Sequence, residues 1–136
     1  MTENEYFIKG RLEHVYCCKS DGESIINKKY HGFSDNQCEW RAVVDMLTHI
    51  YTTYGDSGNL FLINMDSKLV FRQIMSKTAQ NYNGRTYSIK SNSLHPIYLE
   101  WNKLKNTLWD TTINYIYVDG LDNIARKRLD NEHKRK

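Results

Sequence analysis

The apolar positions of this chain change period several times, and each change marks an element. From Tyr6 to Phe33 they form short runs rich in aromatic and β-branched residues, as in YFIKGRL and EHVYCCK, which predicts strands. SDGE, Ser20–Glu23, is a strong hairpin turn, and SIINKKYHGF pairs back from it. Three antiparallel strands are the expected result. The period then becomes helical. In SDNQCEWRAVVDMLTHIYTTYG, Ala42, Val43, Met46, Leu47, Ile50, Tyr51 and Tyr54 recur every three or four positions, with Ser34 or Asp35 as the start and Gly55 as the stop. A buried strand beginning at Leu60 follows the loop GDSGN, and a short helix runs from Ser67 to about Lys77.

The stretch Ser76–Ser93 is polar and turn-rich, with Tyr82 and Tyr87 as its candidate anchors. Helical spacing resumes at Leu94, where Ile97, Tyr98, Trp101, Leu104 and Leu108 share one face and Pro96 suits the first turn. TTINYIYV reads as a fifth strand, DGLDN as a turn, and IARKRLDNEHKRK as a basic terminal helix or tail over about 124–136. Three strands in a meander, followed by alternating helices and strands, predict an α/β fold with a mixed five-stranded sheet flanked by helices. Neither an internal repeat nor an interdomain linker interrupts it, so residues 1–136 read as a single domain.

Composition narrows the function classes. The 136 residues include ten Tyr, four Phe and three Trp, too many aromatics for a disordered body. A formal charge of +3 permits a polyanionic partner without requiring one. No apolar run reaches the roughly 20 residues of a membrane span, and MTENEYFIKG lacks the basic and apolar regions of a signal peptide. A cytoplasmic location and no membrane partner are therefore expected. Richness in Asn, Lys and Tyr suits an AT-rich genome, such as that of a virus or mobile element. Cys17, Cys18 and Cys38 have no CxxC spacing and read as reduced, small apolar residues, the first two on opposite faces of a strand. The five histidines lack the spacing of a zinc site. The three tryptophans read as core or interhelix packing.

One carboxylate stands out by position. LFLINMDSKLVFRQI changes from strand to helix at Asp66, and such joints lie at the carboxyl end of a sheet, where open α/β folds collect their chemistry. Here the sequence resembles the ribonuclease H family. The family's helix motif N-x-x-E-[YW]-x-A is matched by Asn36, Glu39, Trp40 and Ala42. Its strand–helix motif D-S-x-L-V-x-x-Q-[IL] is matched by Asp66, Ser67, Leu69, Val70, Gln73 and Ile74. The resemblance covers residues 5 to about 133 and implies a ribonuclease H-like fold.

It also implies a chemistry. The family hydrolyses a phosphodiester with two Mg²⁺ ions about 4 Å apart, held by converging carboxylates. By resemblance Glu39 and Asp66 are two of them. At the family's other two positions this chain departs. The first Asp, followed by Gly, is replaced by Lys9 before Gly10. The last falls on Lys127 when Val118, Asn123 and Leu129 are aligned without a gap, or on Arg126 when a one-residue gap aligns Ala125. Two cations in place of two carboxylates bring the cluster from about −4 to about 0. A divalent ion about 4 Å from one ammonium meets roughly 8 kcal/mol of repulsion at an effective dielectric of about 20. Lys9 and Lys127 are therefore expected to pair with Glu39 and Asp66, with no metal bound.

Three functions remain open at this point. The first is a non-catalytic module that binds nucleic acid (an RNA–DNA hybrid, RNA or DNA) or a nucleoprotein complex, its phosphate contacts made by Arg126, Lys127, Arg128, Lys134, Arg135 and Lys136. Lysines in the metal site would add a phosphate-binding cleft. The second is an active nuclease on RNA in RNA–DNA hybrids, using Mg²⁺ or Mn²⁺ with a relocated ligand, Asp122 or Asp119 first, and Glu13 or Asp21 after them. The third is a protein-interaction module. The ordinary reading of Asp119 and Asp122 is turn and cap chemistry.

Overall fold

The computed structural model describes residues 4–78 and 94–134. Most of the polar stretch 76–93, including Tyr82 and Tyr87, lies outside the described residues, as do Arg135 and Lys136. Among the described residues five strands form one sheet: β1 (Glu5–Arg11), β2 (His14–Lys19), β3 (Ser24–Lys29), β4 (Leu60–Met65) and β5 (Thr112–Tyr117). Their order is β3-β2-β1-β4-β5. β1 pairs antiparallel with β2 and β2 with β3, whereas β4 runs parallel to both β1 and β5. The mixed sheet expected from the element order is the one that forms.

Among the described residues four helices accompany it: α1 (Asp35–Tyr54), α2 (Lys68–Thr78), α3 (His95–Thr107) and α4 (Ile124–Lys134). α1 begins with a capping box, in which the Ser34 side chain accepts the Gln37 N–H and the Gln37 side chain accepts the Ser34 N–H. It ends at Gly55, whose φ of 67° suits a residue without a Cβ. α4 starts after a single 3₁₀ turn, Gly120–Asp122. No helix among the described residues is long and apolar enough to cross a membrane.

Strand alternation divides the interior in two. Tyr6, Ile8, Val15 and Cys17 join α1 and α3 in the main core with Trp40, Phe61 and Trp101. On the opposite face Phe7, Tyr16 and Cys18 pack against Ile124, Ala125 and Leu129 of the last helix. Cys17 and Cys18 thus enter different cores, and all three cysteines are free and buried. Burial pushes the Cys18 and Cys38 thiols up to about 11, which keeps them protonated and unreactive. The two buried indoles are satisfied, Trp40 by Gln73 at 2.8 Å and Trp101 by the Tyr115 hydroxyl at 3.1 Å. Trp109 departs from the expected packing role, with 80% of its surface exposed. α3 ends at Thr107 and Leu108 turns inward as its cap, so the helical spacing does not carry Trp109 to the core.

The sheet and α1 approach closely at Gly10. A Cβ built there would lie 2.1 Å from the Cys38 carbonyl carbon and 2.3 Å from the Glu39 nitrogen. These are backbone atoms of a long helix and cannot step aside. Gly10→Ala should therefore destabilise the domain by about 3 kcal/mol or more, measured by urea unfolding. An unchanged midpoint would show that α1 is not held against β1 as described.

Candidate functional site

The Gly10 contact fixes where the first acid points. It seats the second turn of α1 on the end of β1, and Glu39 there accepts the Gly10 N–H in a short hydrogen bond. Asp66 arrives from β4, directly after the strand ends. Ser67, the next residue, caps α2, its hydroxyl accepting the Val70 N–H at 3.3 Å. The capping role thus belongs to Ser67, and Asp66 is left to face its neighbours.

Lys9 lies between the two acids. Its Nζ is 3.0 Å from Asp66 Oδ1 and 3.5 Å from Glu39 Oε1. The side chains are 15% exposed for Lys9, 9% for Glu39 and 2% for Asp66. Three ionisable groups are thus withdrawn from water around one ammonium. Burial pushes the Glu39 carboxyl up from 4.5 to about 7; Lys9 and the Gly10 N–H oppose that rise, and Asp66 adds to it.

The second cation on Asp66 is Arg126. Its Nη1 is 3.4 Å from Asp66 Oδ2, and its Nε is 3.8 Å from Asp130 Oδ2 one turn further along α4. Asp130 also pairs with Arg11 of β1. The contacts form one alternating chain of charge, Arg11–Asp130–Arg126–Asp66–Lys9–Glu39, joining β1, α4, β4 and α1. Gly120 gives it room: a Cβ there would lie 1.8 Å from Arg126 Nη1 and 3.2 Å from Asp66 Oδ2.

The expectation that Lys127 pairs with these acids is corrected here. Ala125 and Leu129, four apart, turn into the second core and fix the rotation of α4. That rotation carries Arg126 and Asp130 to the site and leaves Lys127 exposed. Of the two basic candidates, Arg126 is the one that meets Asp66. Arg128 is also exposed, its guanidinium 5.8 Å from the ring centre of Tyr16. Lys134 is the last residue of α4.

The candidate relocated ligands are engaged elsewhere or stand apart. Asp119 accepts the Leu121 N–H at 2.9 Å and caps the 3₁₀ turn, while Asp122 is exposed. Glu13 meets His31 at 3.5 Å, and Asp21 accepts the Glu23 N–H at 2.9 Å across the hairpin turn. Among the described residues no three His, Cys, Asp or Glu side chains are grouped to hold a metal ion. Two carboxylates bridged by an ammonium do not fit a pair of Mg²⁺ ions, which need more oxygen donors and less positive charge.

The cleft around this cluster has a volume of about 300 Å³ and includes Asp35, Asn36 and Ser67 in its walls. With Glu39 ionised, its six-residue chain of charge sums to zero. The lysine expected to offer itself to phosphate is instead occupied by two acids.

No protein-family model matches the sequence, and no curated protein matches it. Solved structures do match. The chain aligns over 95% of its length with 93% of LC11-RNase H1, isolated from compost by a metagenomic approach, at a TM-score of 0.64 and 14% identity. The fold is ribonuclease H-like. The N-terminal RNase H domain of Rv2228c from Mycobacterium tuberculosis, solved as a fusion with maltose-binding protein, is similar over 92% of this chain and 95% of that one, with a TM-score of 0.57 and 17% identity. RNase H1 from the halophilic archaeon Halobacterium salinarum gives 93% and 97% coverage, a TM-score of 0.56 and 14% identity. Within this ribonuclease H-like fold, Glu39 and Asp66 meet at the carboxyl end of β4, and Lys9 pairs with both as expected. Arg11, Asp130 and Gly120 carried no sequence signal that would have included them.

Two outcomes follow from the geometry. Lys9→Met removes only the ammonium and leaves two buried acids without their shared counter-ion, so it should cost about 3–5 kcal/mol by chemical unfolding. The second concerns pH. Because the folded chain holds the Glu39 proton more tightly than the unfolded chain does, Glu39's contribution to stability is fully present below about 4.5 and is lost as pH rises through about 7. Glu39→Gln should flatten the stability curve over that window, and an unchanged curve would contradict the assignment.

Proposed function

We propose that this domain is a non-catalytic ribonuclease H-like module that binds nucleic acid. The observation that carries this reading is the Lys9 ammonium 3.0 Å from Asp66 and 3.5 Å from Glu39. It fills the space between the two acids with a tethered cation, where the hydrolytic chemistry of such folds requires metal ions and further carboxylates. The nucleic acid meets the outer, basic surface of the last helix rather than the neutral cleft. Lys127 and Arg128, both exposed, supply phosphate contacts, continued along the sequence by Lys134, Arg135 and Lys136. Such contacts give affinity with little sequence discrimination. An RNA–DNA hybrid is the first ligand to test, since the proteins of similar fold are RNase H domains.

The nuclease alternative is decided by one assay. A 5′-labelled RNA–DNA hybrid should remain intact with either Mg²⁺ or Mn²⁺, while the double variant Lys9→Asp with Arg126→Asp, which restores a carboxylate at both positions, should gain weak cleavage. Wild-type cleavage abolished by both Glu39→Gln and Asp66→Asn would overturn the non-catalytic reading.

Binding itself is checked by fluorescence anisotropy across a salt series. Each neutralised phosphate contributes about 0.9 to the log–log slope on duplex DNA, so replacing Lys134, Arg135 and Lys136 with Gln should lower the slope by about two to three. Binding that does not respond to salt would favour a protein partner instead.

A further inference from the structure

The two edges of the sheet are built differently. β3, at one edge, carries Lys28 and Lys29, both exposed, and its ladder to β2 shifts register at Cys17 and Cys18. Charge and irregularity of this kind keep an edge from recruiting another strand. β5, at the other edge, reads TINYIY, with no charged residue, no proline and no register shift in its ladder to β4. Apart from Asn114 its residues are aromatic or β-branched. No strand among the described residues lies beyond it, and an open groove of about 380 Å³ is lined by Met75 and residues 113–116. The bonds on the paired side fix the phase of the open one. The Thr112 N–H donates to the Asn59 carbonyl at 3.0 Å and the Val118 N–H to the Met65 carbonyl at 2.8 Å. In a parallel ladder both backbone groups of a residue face one neighbour, and the side alternates along the strand. Thr112, Asn114, Ile116 and Val118 therefore face β4. Ile113, Tyr115 and Tyr117 turn N–H and C=O to the open edge.

We propose that β5 pairs antiparallel with the β5 of a second copy of this chain, about a two-fold axis at Tyr115, so that the two sheets become one. A two-fold normal to the sheet keeps every side chain on its own face, so the axis must pass through a residue rather than between two. Tyr115 is the middle one of the outward positions. In that register Tyr115 exchanges both backbone hydrogen bonds with the partner's Tyr115, and Ile113 does so with the partner's Tyr117, which uses every outward group of the strand. The strand ends fit the same axis. Trp109 and Leu121, each 80% exposed, are the most exposed large hydrophobic residues among those described. They stand six residues before and six after Tyr115. Antiparallel pairing brings the Trp109 end of each copy to the Leu121 end of the other. Charge is matched as well. Asp110 is exposed at the first end, and Lys68, its Nζ 5.9 Å from the Tyr117 ring centre, is exposed at the second. Asp119, also at that end, is taken up by the Leu121 N–H. An unrelated extended peptide would share the backbone bonds but not this symmetry. α4 packs on β1 and β2, away from this edge, so its basic surface stays open in both copies.

Sedimentation velocity of the full chain from about 1 to about 300 µM should show two copies at the upper end. Tyr117→Pro removes an N–H that points away from β4, so the β4–β5 ladder keeps its bonds. Symmetry deletes the inter-copy bond twice, and the dimer dissociation constant should rise about thirtyfold. Trp109→Ser, at an exposed position outside the strand, should raise it about tenfold, and it decides the matter if the proline variant does not fold. Amide hydrogen exchange reads the register. Protection of Ile113, Tyr115 and Tyr117 should appear with the dimer, while that of Asn114 and Ile116 is the same in one copy and two. A chain that remains a single copy at about 300 µM would overturn the proposal, as would a dimer that both variants leave unchanged. So would outward amides already protected in the single copy, which would put the edge under another part of the same chain.

Discussion

The geometry of the site end depends on the placement of one ammonium between two carboxylates that have been taken out of water. Burial of Glu39 and Asp66 without a counter-charge would be untenable, and burial of Lys9 alone equally so. Together they are compatible, and only in one arrangement of three elements: the end of β1, the second turn of α1 and the exit from β4. The Gly10 contact is the steric half of the same constraint, since it lets the backbone of β1 approach α1 closely enough for Lys9 to reach both acids. A buried ion set of this kind specifies geometry more surely than it adds net stability, because much of its attraction offsets desolvation.

Arg126 extends the constraint to the other side of the sheet. Glu39 and α1 cover one face, and α4 covers the opposite one with a small core of Tyr16, Cys18, Ala125 and Leu129. That core alone is modest. The charge chain adds directional contacts at the end of α4 nearest the site, while Asn27 donating to Glu132 and His14 facing His133 add them at the other end. The helix is thus located by apolar packing in its middle and by polar contacts at both ends.

Much of this was legible in the sequence, and the exceptions have physical reasons. Element order and type followed from period changes, and strand and helix limits fell within a few residues of the reading, the third strand stopping short at Lys29. Glu39, Asp66 and Lys9 were legible through the resemblance to ribonuclease H motifs, each contained in one strand or helix, and Asp66 also through its place at a strand–helix joint. The choice between Lys127 and Arg126 was a question of helix rotation, and Ala125 with Leu129 held the answer in their four-residue spacing. Arg11 with Asp130 and His14 with His133 are each 119 residues apart, and nothing in either local sequence signals the other. Trp109 was expected to pack and does not, because α3 ends at Thr107 and the chain turns before the indole can reach the core.

The covalent tether of the central cation has a consequence for how this end of the molecule responds to its surroundings. A diffusible ion stabilises a fold in proportion to the logarithm of its free concentration, so such a site weakens when the ion is scarce or chelated. An ammonium carried on the chain is always present at one equivalent and at a fixed effective concentration. The contacts that Lys9 makes between β1, α1 and β4 therefore draw their charge from the folded chain alone and need no ion from solution.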